Sequence, residues 1–437
     1  MMNTFKLKEG FLIGTASAAT QIEGGDLDHS WMDWYRKGHI VDGSTPARTD
    51  EHWIRWREDD ALMGELGMQV ARIGVEWARV EPQMGVFDED AIARYVAEVT
   101  LLADLGIQPL VTLHHFTNPM WFENLGAFEK VENIAHFLRF VERMVRAFGS
   151  RVTEYITINE PNVYATTGYF FGSWPPGVKS FARTVRVMSV LTAAHVLAYG
   201  RIHSLHTELG IADTRVSYAN HMRVFAPKDP GNPLHRLFAR LSERFFQGAL
   251  SKAMGTGHFS FPIRNLVGVQ PGLYCDYIAL NYYTRSTVAS LGDGVRENAP
   301  VNDLGWEIYP QGIVSCAQAL FKLHALPIYV TENGTCDAQD SFRCRYLYDH
   351  LKEVSESGLP FQRYYHWCFI DNFEWLEGES ARFGIVHLDY ETQVRTVKQS
   401  GRFLQAMIRC GGVDEAMFAA YVAPTAYHTN AKGESGA

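Results

Sequence analysis

The chain has 437 residues, of which 46% are hydrophobic, 13% aromatic and 20% charged. This composition supports a large buried core and excludes extensive disorder. The formal net charge is −9 and the arginines and lysines are scattered along the chain, which excludes the clustered positive surface that binds nucleic acid.

The N-terminal sequence and the cysteines indicate the cellular compartment. No long apolar segment follows the first charged residues, and no run reaches the roughly eighteen apolar residues of a membrane span. We therefore expect a soluble cytoplasmic protein with no membrane partner; the oligomeric state is not predicted. The six cysteines are far apart and lack CxxC spacing, which favours free buried thiols over a zinc site or disulfides. They are Cys275, Cys316, Cys336, Cys344, Cys368 and Cys410.

Short apolar runs recur eight times, with segments of helical periodicity between them. Eight alternations of strand and helix predict a parallel (β/α)8 barrel, a fold that holds a chain of this length as one domain with long loops. We therefore assign residues 1–437 to one domain, with the barrel at about 11–410 and a polar tail at about 424–437. The predicted strands are 11–21, 70–77, 108–116, 155–160, 215–221, 277–283, 327–332 and 364–370.

Two glutamates stand at the ends of predicted strands. Glu160 follows the fourth apolar run and precedes Pro161, which cannot continue a strand. Glu332 ends the seventh run, just before an Asn-Gly turn. A barrel gathers the carboxyl ends of its strands at one mouth, so the two carboxylates can meet there. Such a pair is what glycosidic bond cleavage requires, although either glutamate alone would more often be a capping or surface residue.

Strand alternation limits which neighbouring residues can share the mouth of the barrel. His114 and His115 end the third run and point to opposite sides, so we expect His114 in the core and reject a metal site built on both. Asn159 and Glu160 face the same problem, and a bulge or a strand end is needed if both are to reach the mouth. The long connection 223–271, with an aromatic helix around Phe245, is predicted to form a wall of the cleft.

Five segments of this chain together resemble the signatures of glycoside hydrolase family 1, the retaining β-glucosidases. The resemblance covers about residues 11–400 and implies a (β/α)8 barrel that works without a metal or an organic cofactor. The segments are Gln21-Ile22-Glu23-Gly24, Thr157-Ile158-Asn159-Glu160-Pro161, Asn281-Tyr282-Tyr283, Val330-Thr331-Glu332-Asn333-Gly334 and Asp371-Asn372-Phe373-Glu374-Trp375.

The resemblance implies that Glu160 is the general acid/base and Glu332 the nucleophile. In a retaining enzyme the two carboxyl groups lie about 5 to 5.5 Å apart. Glu160 should therefore begin protonated, with its pKa raised by burial and by the charge of Glu332. Arg72 and Tyr283 match the family residues that keep the nucleophile ionised. Asn159 and Asn281 are implied as further supporting residues.

The resemblance also implies a sugar-binding set. Glu374 can accept hydrogen bonds from two hydroxyls, and its negative charge would repel a phosphorylated sugar. We therefore expect a small-molecule, non-phosphorylated β-glycoside as substrate, with β-glucosides first and β-galactosides or β-fucosides as alternatives. Trp174 and Trp306 are candidates for the aglycone side. The implied sugar-binding residues are Gln21, His115, Asn159, Trp367, Glu374 and Trp375.

The expected activity is exo-hydrolysis with retention, through a covalent glycosyl-enzyme intermediate. One alternative is a non-catalytic sugar-binding relative, which the presence of both glutamates disfavours. Another is a metal-dependent barrel hydrolase, which would need a cluster of carboxylates and histidines that these motifs do not supply.

Several residues depart from the family pattern or have simpler interpretations. The acidic run Glu58-Asp59-Asp60 is expected on a solvated helix face. Trp31, Trp34, Trp53 and Trp56 are expected to pack in loops, with Trp34 a candidate for the entrance. The departures bear on sugar preference and not on the chemistry; they are Ile13 and Phe116, where tryptophan is common, Thr20, where tyrosine is common, and Glu76, where a small neutral residue is common.

Overall fold

The computed structural model describes residues 4–290, 292 and 294–430, and its centre is a closed barrel of eight parallel strands. Each strand pairs with the next in chain order, and the eighth pairs with the first. The (β/α)8 prediction is therefore confirmed. The strands are β1 Leu12–Ala16, β2 Val70–Gly74, β3 Gln108–Thr112, β4 Glu154–Asn159, β5 Arg215–Pro227, β6 Ile278–Val288, β7 Ile328–Asn333 and β8 Phe361–Trp367.

One main helix, or helical segment, follows each strand. They are α1 His52–Glu65, α2 Glu89–Asp104, α3 Ile134–Phe148, α4 Phe181–Glu208, α5 (Pro233–Glu243, Arg244–Gly248 and Ala249–Thr256 in succession), α6 Gln311–His324, α7 Arg343–Glu356 and α8 Gln399–Cys410. Short helices stand in the loops at Ala19–Ile22, Ser30–Arg36, Trp77–Val80, Met120–Asn124, Pro161–Ala165 and Glu415–Met417. Tighter or wider helical turns lie at Ala127–Glu129, Val131–Asn133, Gly149–Arg151, Thr166–Phe171, Trp375–Glu377 and Phe418–Val422.

Hydrophobic periodicity explains why these helices cover the barrel. In α3 the side chains of Phe137, Phe140, Val141 and Met144 recur at helical spacing and are fully buried. Each such side chain stabilises the fold by roughly 1.5–3 kcal/mol relative to exposure. The strands are buried on both faces because the helices enclose them, which is why they read as nearly continuous apolar runs.

Two strands are longer than predicted. β5 and β6 continue side by side beyond the barrel, with paired residues from Val224 and Arg285 to Pro227 and Val288. Their mutual pairing satisfies the backbone where the other strands have ended. The aromatic helix expected in the connection 223–271 is confirmed, since Phe245 and Phe246 lie in α5. β1, by contrast, ends at Ala16, and the predicted end residue Gln21 lies on the short helix Ala19–Ile22.

Helix α4 is long and apolar enough, by length and composition alone, to span a membrane. Of the window that meets this test, 72% is buried against the rest of the protein. A buried core helix of a globular protein meets the same test, so the finding is weak evidence for a membrane span.

Several minor predictions are wrong. Asp59 and Asp60 are buried in α1 and not solvated, because Asp59 accepts hydrogen bonds from His52 and Arg395 inside the structure. Trp53 and Trp56 lie on α1 and not in a loop, whereas Trp31 and Trp34 lie in the loop after β1, on its short helix Ser30–Arg36.

The predictions for the cysteines and the C-terminal tail are confirmed only in part. All six cysteines are free and five are buried, but Cys410, the last residue of α8, is exposed because the helix ends there. In the tail, His428–Thr429 pairs with Pro300–Val301, and residues 431–437 lie outside the described part of the chain. Two further strand pairs join Phe5–Lys6 to Gly412–Val413 and Val386–Leu388 to Arg395–Val397.

Candidate active site

The backbone at the end of β4 solves the orientation problem at Asn159 and Glu160. Asn159 is the last strand residue, and Glu160 adopts a left-handed conformation with φ +40° and ψ 58°. The pairing of β4 with β5 also shifts register between Ile156 and Asn159. The strand irregularity and the strand end that would let both side chains reach the mouth are therefore both present. A left-handed residue other than glycine costs about 1–3 kcal/mol, a strain that clusters at functional sites.

Glu332, near the end of β7, is held by two donors. Arg72 Nη1 donates to its Oε1 at 2.5 Å, and the Tyr283 hydroxyl donates to its Oε2 at 2.7 Å. The residue is only 3% exposed. Gly334 follows because β8 passes very close: a Cβ there would lie 1.9 Å from the carbonyl oxygen of Trp367. Glycine is therefore needed at position 334 because the two strands approach each other closely at this point.

Arg72, on β2, joins the two halves of the site. Besides Glu332, its Nη2 donates to Asn159 Oδ1 at 2.6 Å and its Nε donates to Thr112 Oγ1 at 2.9 Å. The guanidinium is buried and fixed by these contacts. Its planar set of donors thus sets the positions of the Glu332 carboxylate and the Asn159 amide together.

Glu160 is 5% exposed and receives two hydrogen bonds on one oxygen. Asn281 Nδ2 lies 2.9 Å and His221 Nδ1 lies 3.1 Å from Glu160 Oε1. Asn281 also donates to Asn159 Oδ1 at 3.0 Å, so it links Glu160 to the Arg72 network. His221, in β5, is a site residue that the sequence analysis did not select. Its position near the end of a predicted strand was the available signal.

The surroundings of the two carboxyl groups shift their pKa values in opposite directions. Burial and the charge of Glu160 raise the pKa of Glu332 to about 7, against the opposing effect of Arg72. Burial also raises the pKa of Glu160, but its contact with His221, the hydrogen bond from Asn281 and the charge of Arg72 together lower that pKa below its usual range. The order of the two pKa values is therefore the reverse of the predicted one, and the contact with His221 is the largest of the causes that lower the pKa of Glu160.

The implied sugar-binding residues also meet in the structure. Gln21 Nε2 and Trp367 Nε1 donate to Glu374 Oε2 at 3.2 and 3.4 Å. Asn159 Nδ2 donates to His115 Nε2 at 2.9 Å, which places the remaining ring proton of His115 on Nδ1. Burial and the charge of Arg72 lower the pKa of His115 well below its usual range, so the ring is neutral at pH 7.

Two buried polar atoms of this group make no hydrogen bond to any described residue. They are Gln21 Oε1 and His115 Nδ1, an acceptor and a donor. A buried polar atom without a partner costs roughly 1–3 kcal/mol, so a ligand with hydroxyl groups would gain by supplying the partners. His114, by contrast, bonds to Asn118 and packs against Phe128, which confirms its place in the core.

The aromatic residues divide between two sides of the site. Trp375 contacts His115 at 5.8 Å, Trp31 at 4.9 Å and Trp174 at 5.9 Å between ring centroids. Trp174 therefore belongs to the same aromatic group as Trp375. Trp306 lies edge-on to Tyr283 at 6.0 Å, on the side of the nucleophile candidate.

Two of the departures from the family pattern contact each other. The Thr20 hydroxyl donates to Glu76 Oε2, and Glu76 also caps the helix Trp77–Val80 through Ala78 N. The smaller residue at 20 and the carboxylate at 76 are therefore complementary. Burial raises the pKa of Glu76 to about 7.

One cluster among the described residues has the spacing of a metal site. Ligand atoms of His52, Asp60 and Glu98 lie within 4.8 Å of one another, away from the site above. Burial opposes protonation of His52, but hydrogen bonds to Asp59 and Glu98 raise its pKa to about 10. Both ring nitrogens of His52 already lie at hydrogen-bond distance from carboxylates, Nδ1 from Asp59 and Nε2 from Glu98.

An open surface groove of about 650 Å³ lies elsewhere, along α3 and α4. Four arginines line it, and each pairs with a glutamate, so the groove carries no excess positive charge to attract an anion. The pairs are Arg139 with Glu81, Arg143 with Glu89, and Arg146 and Arg201 each with Glu142 and Glu208.

Comparison with known proteins agrees with this geometry. The model of the family described as Glycosyl hydrolase family 1 matches residues 3–413. The chain is 28% identical to beta-glucosidase A of Thermotoga maritima, across 95% of this chain and 100% of that protein. It is 27% identical to a beta-galactosidase of Pyrococcus woesei, across 90% and 94%.

Solved structures give the same result. A beta-glycosidase from Pyrococcus horikoshii superposes with a TM-score of 0.87 at 29% identity, covering 96% of this chain and 98% of the other. The beta-glucosidase from Thermotoga maritima in complex with glucoimidazole superposes with a TM-score of 0.86 at 27% identity, covering 93% and 100%. A (β/α)8 barrel with buried glutamates at its mouth defines a class of barrel hydrolases. Within that class, this chain belongs to glycosyl hydrolase family 1 and is a glycoside hydrolase.

Proposed function

We propose that this enzyme is a retaining exo-β-glycosidase in which Glu332 is the nucleophile and Glu160 the general acid/base. The carrying observation is the network that joins the two glutamates. Arg72 bonds both Glu332 and Asn159, and Asn281 bonds both Asn159 and Glu160. Carboxyl groups held together in this way fit the short separation that a double displacement needs.

The reaction follows from these contacts in two steps. Glu332 attacks the anomeric carbon, the bond to the leaving oxygen breaks, and Glu160 gives that oxygen its proton. Glu160, now ionised, takes a proton from water, and the resulting hydroxyl displaces Glu332 from the anomeric carbon. The Tyr283 hydroxyl and Arg72 stabilise the carboxylate that attacks first and leaves second.

The sugar-binding residues favour an uncharged sugar, with glucose as the first candidate. Glu374 is already within hydrogen-bond distance of Gln21 and Trp367 and would accept from sugar hydroxyls. Burial raises its pKa to about 8 in the free protein, so hydroxyl donors would favour its ionised form. A phosphate would be repelled by the ionised carboxylates of Glu332 and Glu374 at close range. Relatives named for glucosidase and galactosidase activity support this substrate class.

A non-catalytic sugar-binding role is the second candidate. It would require the loss of the acid or of the nucleophile, and both Glu160 and Glu332 are present and held by charged or polar partners.

Azide rescue tests the proposal. Glu332→Gly should abolish turnover of 2,4-dinitrophenyl β-glucoside, and sodium azide should restore it with the α-glucosyl azide as product, because azide enters from the face that the carboxylate has left. Glu154→Gln is the matched control: it changes a buried glutamate at the opposite end of the barrel and should keep turnover without azide. A variant that is inactive with azide, or that yields the β-azide, contradicts the nucleophile assignment.

A further inference from the structure

His221 makes four contacts that together fix its orientation. Its Nδ1 lies 3.1 Å from Glu160 Oε1, and its Nε2 lies 3.3 Å from Arg223 Nη2. Its ring stacks on Tyr283 at 5.7 Å and 17°, and it is only 6% exposed. Phe246 of α5 closes the remaining side at 5.7 Å. The imidazole therefore has no room to rotate away from the carboxyl group.

Arg223 determines which ring nitrogen carries the proton. A guanidinium has only donors, so the nitrogen that faces it, Nε2, must accept. The ring proton is then on Nδ1 and is donated to Glu160 Oε1. Arg223 is itself held in place, since its Nη1 donates to Ser286 Oγ at 3.1 Å and its backbone exchanges hydrogen bonds with the Gln247 side chain.

Because both donors bind Glu160 Oε1, the other carboxyl oxygen, Oε2, is available for proton transfer. Oε1 accepts from both His221 and Asn281, whereas Oε2 accepts no hydrogen bond from any described residue. A proton on Glu160 would clash with the donors if it were on Oε1. It must therefore be on Oε2, from which it can pass to the leaving oxygen.

We propose that Arg223 and His221 form a positioning relay, in which Arg223 keeps His221 as a singly protonated donor and His221 fixes the transferable proton of Glu160 on Oε2. A doubly protonated His221 would instead hold Glu160 ionised and unable to act as an acid. The relay rests on the proposed role of Glu160 as acid/base. It makes His221 and Arg223 positioning residues that act through Glu160.

Other charged and titratable groups face this pair and set the background for any pH test. Among the residues that the structure describes, they are Arg72 on β2, Tyr283 on β6, Glu332 on β7 and Glu374 after β8, which face Glu160, with the uncharged Asn281, Phe246 and Gln247 beside them. The variants below leave all of them unchanged.

The experiment compares the pH dependence of kcat/KM for 4-nitrophenyl β-glucoside in His221→Ala, Arg223→Met and the double variant. Loss of the His221 donor destabilises ionised Glu160, so the alkaline limb should move up by about one pH unit. Arg223→Met frees Nε2 to take a second proton, so the alkaline limb should move down by about one pH unit. In the double variant the effect of Arg223 should disappear, and the limb should match that of His221→Ala.

The shifts separate a positioning role from a structural one. His203 lies on the outer helix α4 and pairs with Asp276. Its replacement, His203→Ala, should leave the alkaline limb of kcat/KM in place. Equal losses of kcat/KM at every pH in both single variants, or shifts in the same direction, would overturn the relay. If His221→Ala does not fold, His221→Gln, which keeps a donor but cannot titrate, should hold the limb near the wild-type position and remove the effect of Arg223→Met.

Failure of the relay can be told apart from failure of the proposed function. If Glu160→Gln retains wild-type turnover on alkyl glucosides, the acid/base assignment itself fails. If Glu160→Gln is impaired while the His221 and Arg223 variants keep the wild-type pH profile, only the relay fails.

Discussion

At the scale of single residues, most side chains of the site hydrogen-bond to more than one neighbour. Arg72 bonds the nucleophile candidate, Asn159 and Thr112, and Asn281 bonds Asn159 and the acid/base candidate. Because each carboxylate is fixed by groups that also fix its neighbour, the effects of substitutions at these positions should be strongly non-additive.

Glu160→Gln should separate substrates by their leaving groups. A 2,4-dinitrophenolate leaves without a proton, so the first step should keep most of its rate, whereas hydrolysis of methyl or octyl β-glucoside should fall by roughly 10²–10⁴-fold. The ratio kcat/KM, which reports the first step alone, measures the difference between the two substrate types, because the second step needs Glu160 as a base for both. Equal losses on both would contradict the acid role.

Tyr283→Phe should move the acidic limb of kcat/KM upward. The Tyr283 hydroxyl donates to Glu332 Oε2, and its loss removes a hydrogen bond that favours the ionised carboxylate, so the pKa of Glu332 should rise by about one unit. Tyr282→Phe is the matched control, since that buried hydroxyl donates to the Tyr309 carbonyl outside the site. An unmoved acidic limb in Tyr283→Phe, with full activity, would contradict this role.

Residue types and motif order were sufficient to find Glu160, Glu332, Arg72 and Tyr283 from the sequence. His221 and Arg223 were not found, because their importance depends on a contact between β5 and the end of β4 that no local pattern records. The direction of the pKa of Glu160 was unpredictable for the same reason: it depends on a neighbour distant in sequence.

At the scale of secondary-structure elements, α1 and α2 share a buried polar cluster. His52 bonds Asp59 and Glu98, and Arg94 pairs with Glu98. Asp60 lies beside them, and neither of its carboxyl oxygens bonds to any described residue. The sequence predicted a solvated acidic face here, because three consecutive acidic residues on a helix are usually exposed. The partners of Asp59 are His52 of the same helix and Arg395, far along the chain, and the α2 residue Glu98 joins the cluster through His52.

Asp60→Asn should stabilise the protein at alkaline pH. Burial and the charge of Glu98 raise the pKa of Asp60 to about 8 from 3.8. A carboxyl group with a raised folded-state pKa stabilises the fold fully below its unfolded pKa, and this stability is lost as the pH rises towards 8. Between pH 5 and pH 8 the loss is at most roughly 4 kcal/mol, from three pH units at about 1.4 kcal/mol each.

Urea unfolding at pH 5 and pH 8 measures this effect. The wild type should lose more stability than Asp60→Asn over that interval, whereas Asp90→Asn, an exposed change on α2, should follow the wild type. If the free energy of unfolding changes equally between pH 5 and pH 8 in all three proteins, Asp60 does not titrate in this range.

At the scale of the whole molecule, the two ends of the barrel have different tasks. The mouth holds the paired glutamates, while the opposite end holds Glu154, the first residue of β4, in a two-point ion pair with Arg363 of β8. Gln108 of β3 adds a further acceptor to Arg363 at 3.0 Å. This pair closes the barrel across non-adjacent strands, so we expect it to affect stability and not chemistry.

Glu154→Gln should lower the free energy of unfolding by roughly 3–5 kcal/mol, because it leaves Arg363 buried without its anion. The values of kcat and KM at 25 °C should stay within about twofold of the wild type, since the change lies at the far end of the strands. Arg146→Met, which breaks an exposed pair, should cost less than about 1 kcal/mol. A large loss of kcat in Glu154→Gln, with the fold intact, would contradict this division.

The barrel itself was predictable because eight apolar runs that alternate with helical segments admit few other arrangements. The parallel extension of β5 and β6 was not predictable, since residues 224–227 and 285–288 form strand pairs with each other and with no other described strand, and lack a distinctive pattern of their own.

The single exposed thiol has a practical consequence. Cys410 ends α8, and helices in this fold run opposite to the strands, so its sulfur lies on the far side of the molecule from the paired glutamates. A maleimide support or a spectroscopic tag would react there while the five buried sulfurs stay shielded. Tethering through that one atom would orient every immobilised copy with its opening towards the surrounding solution.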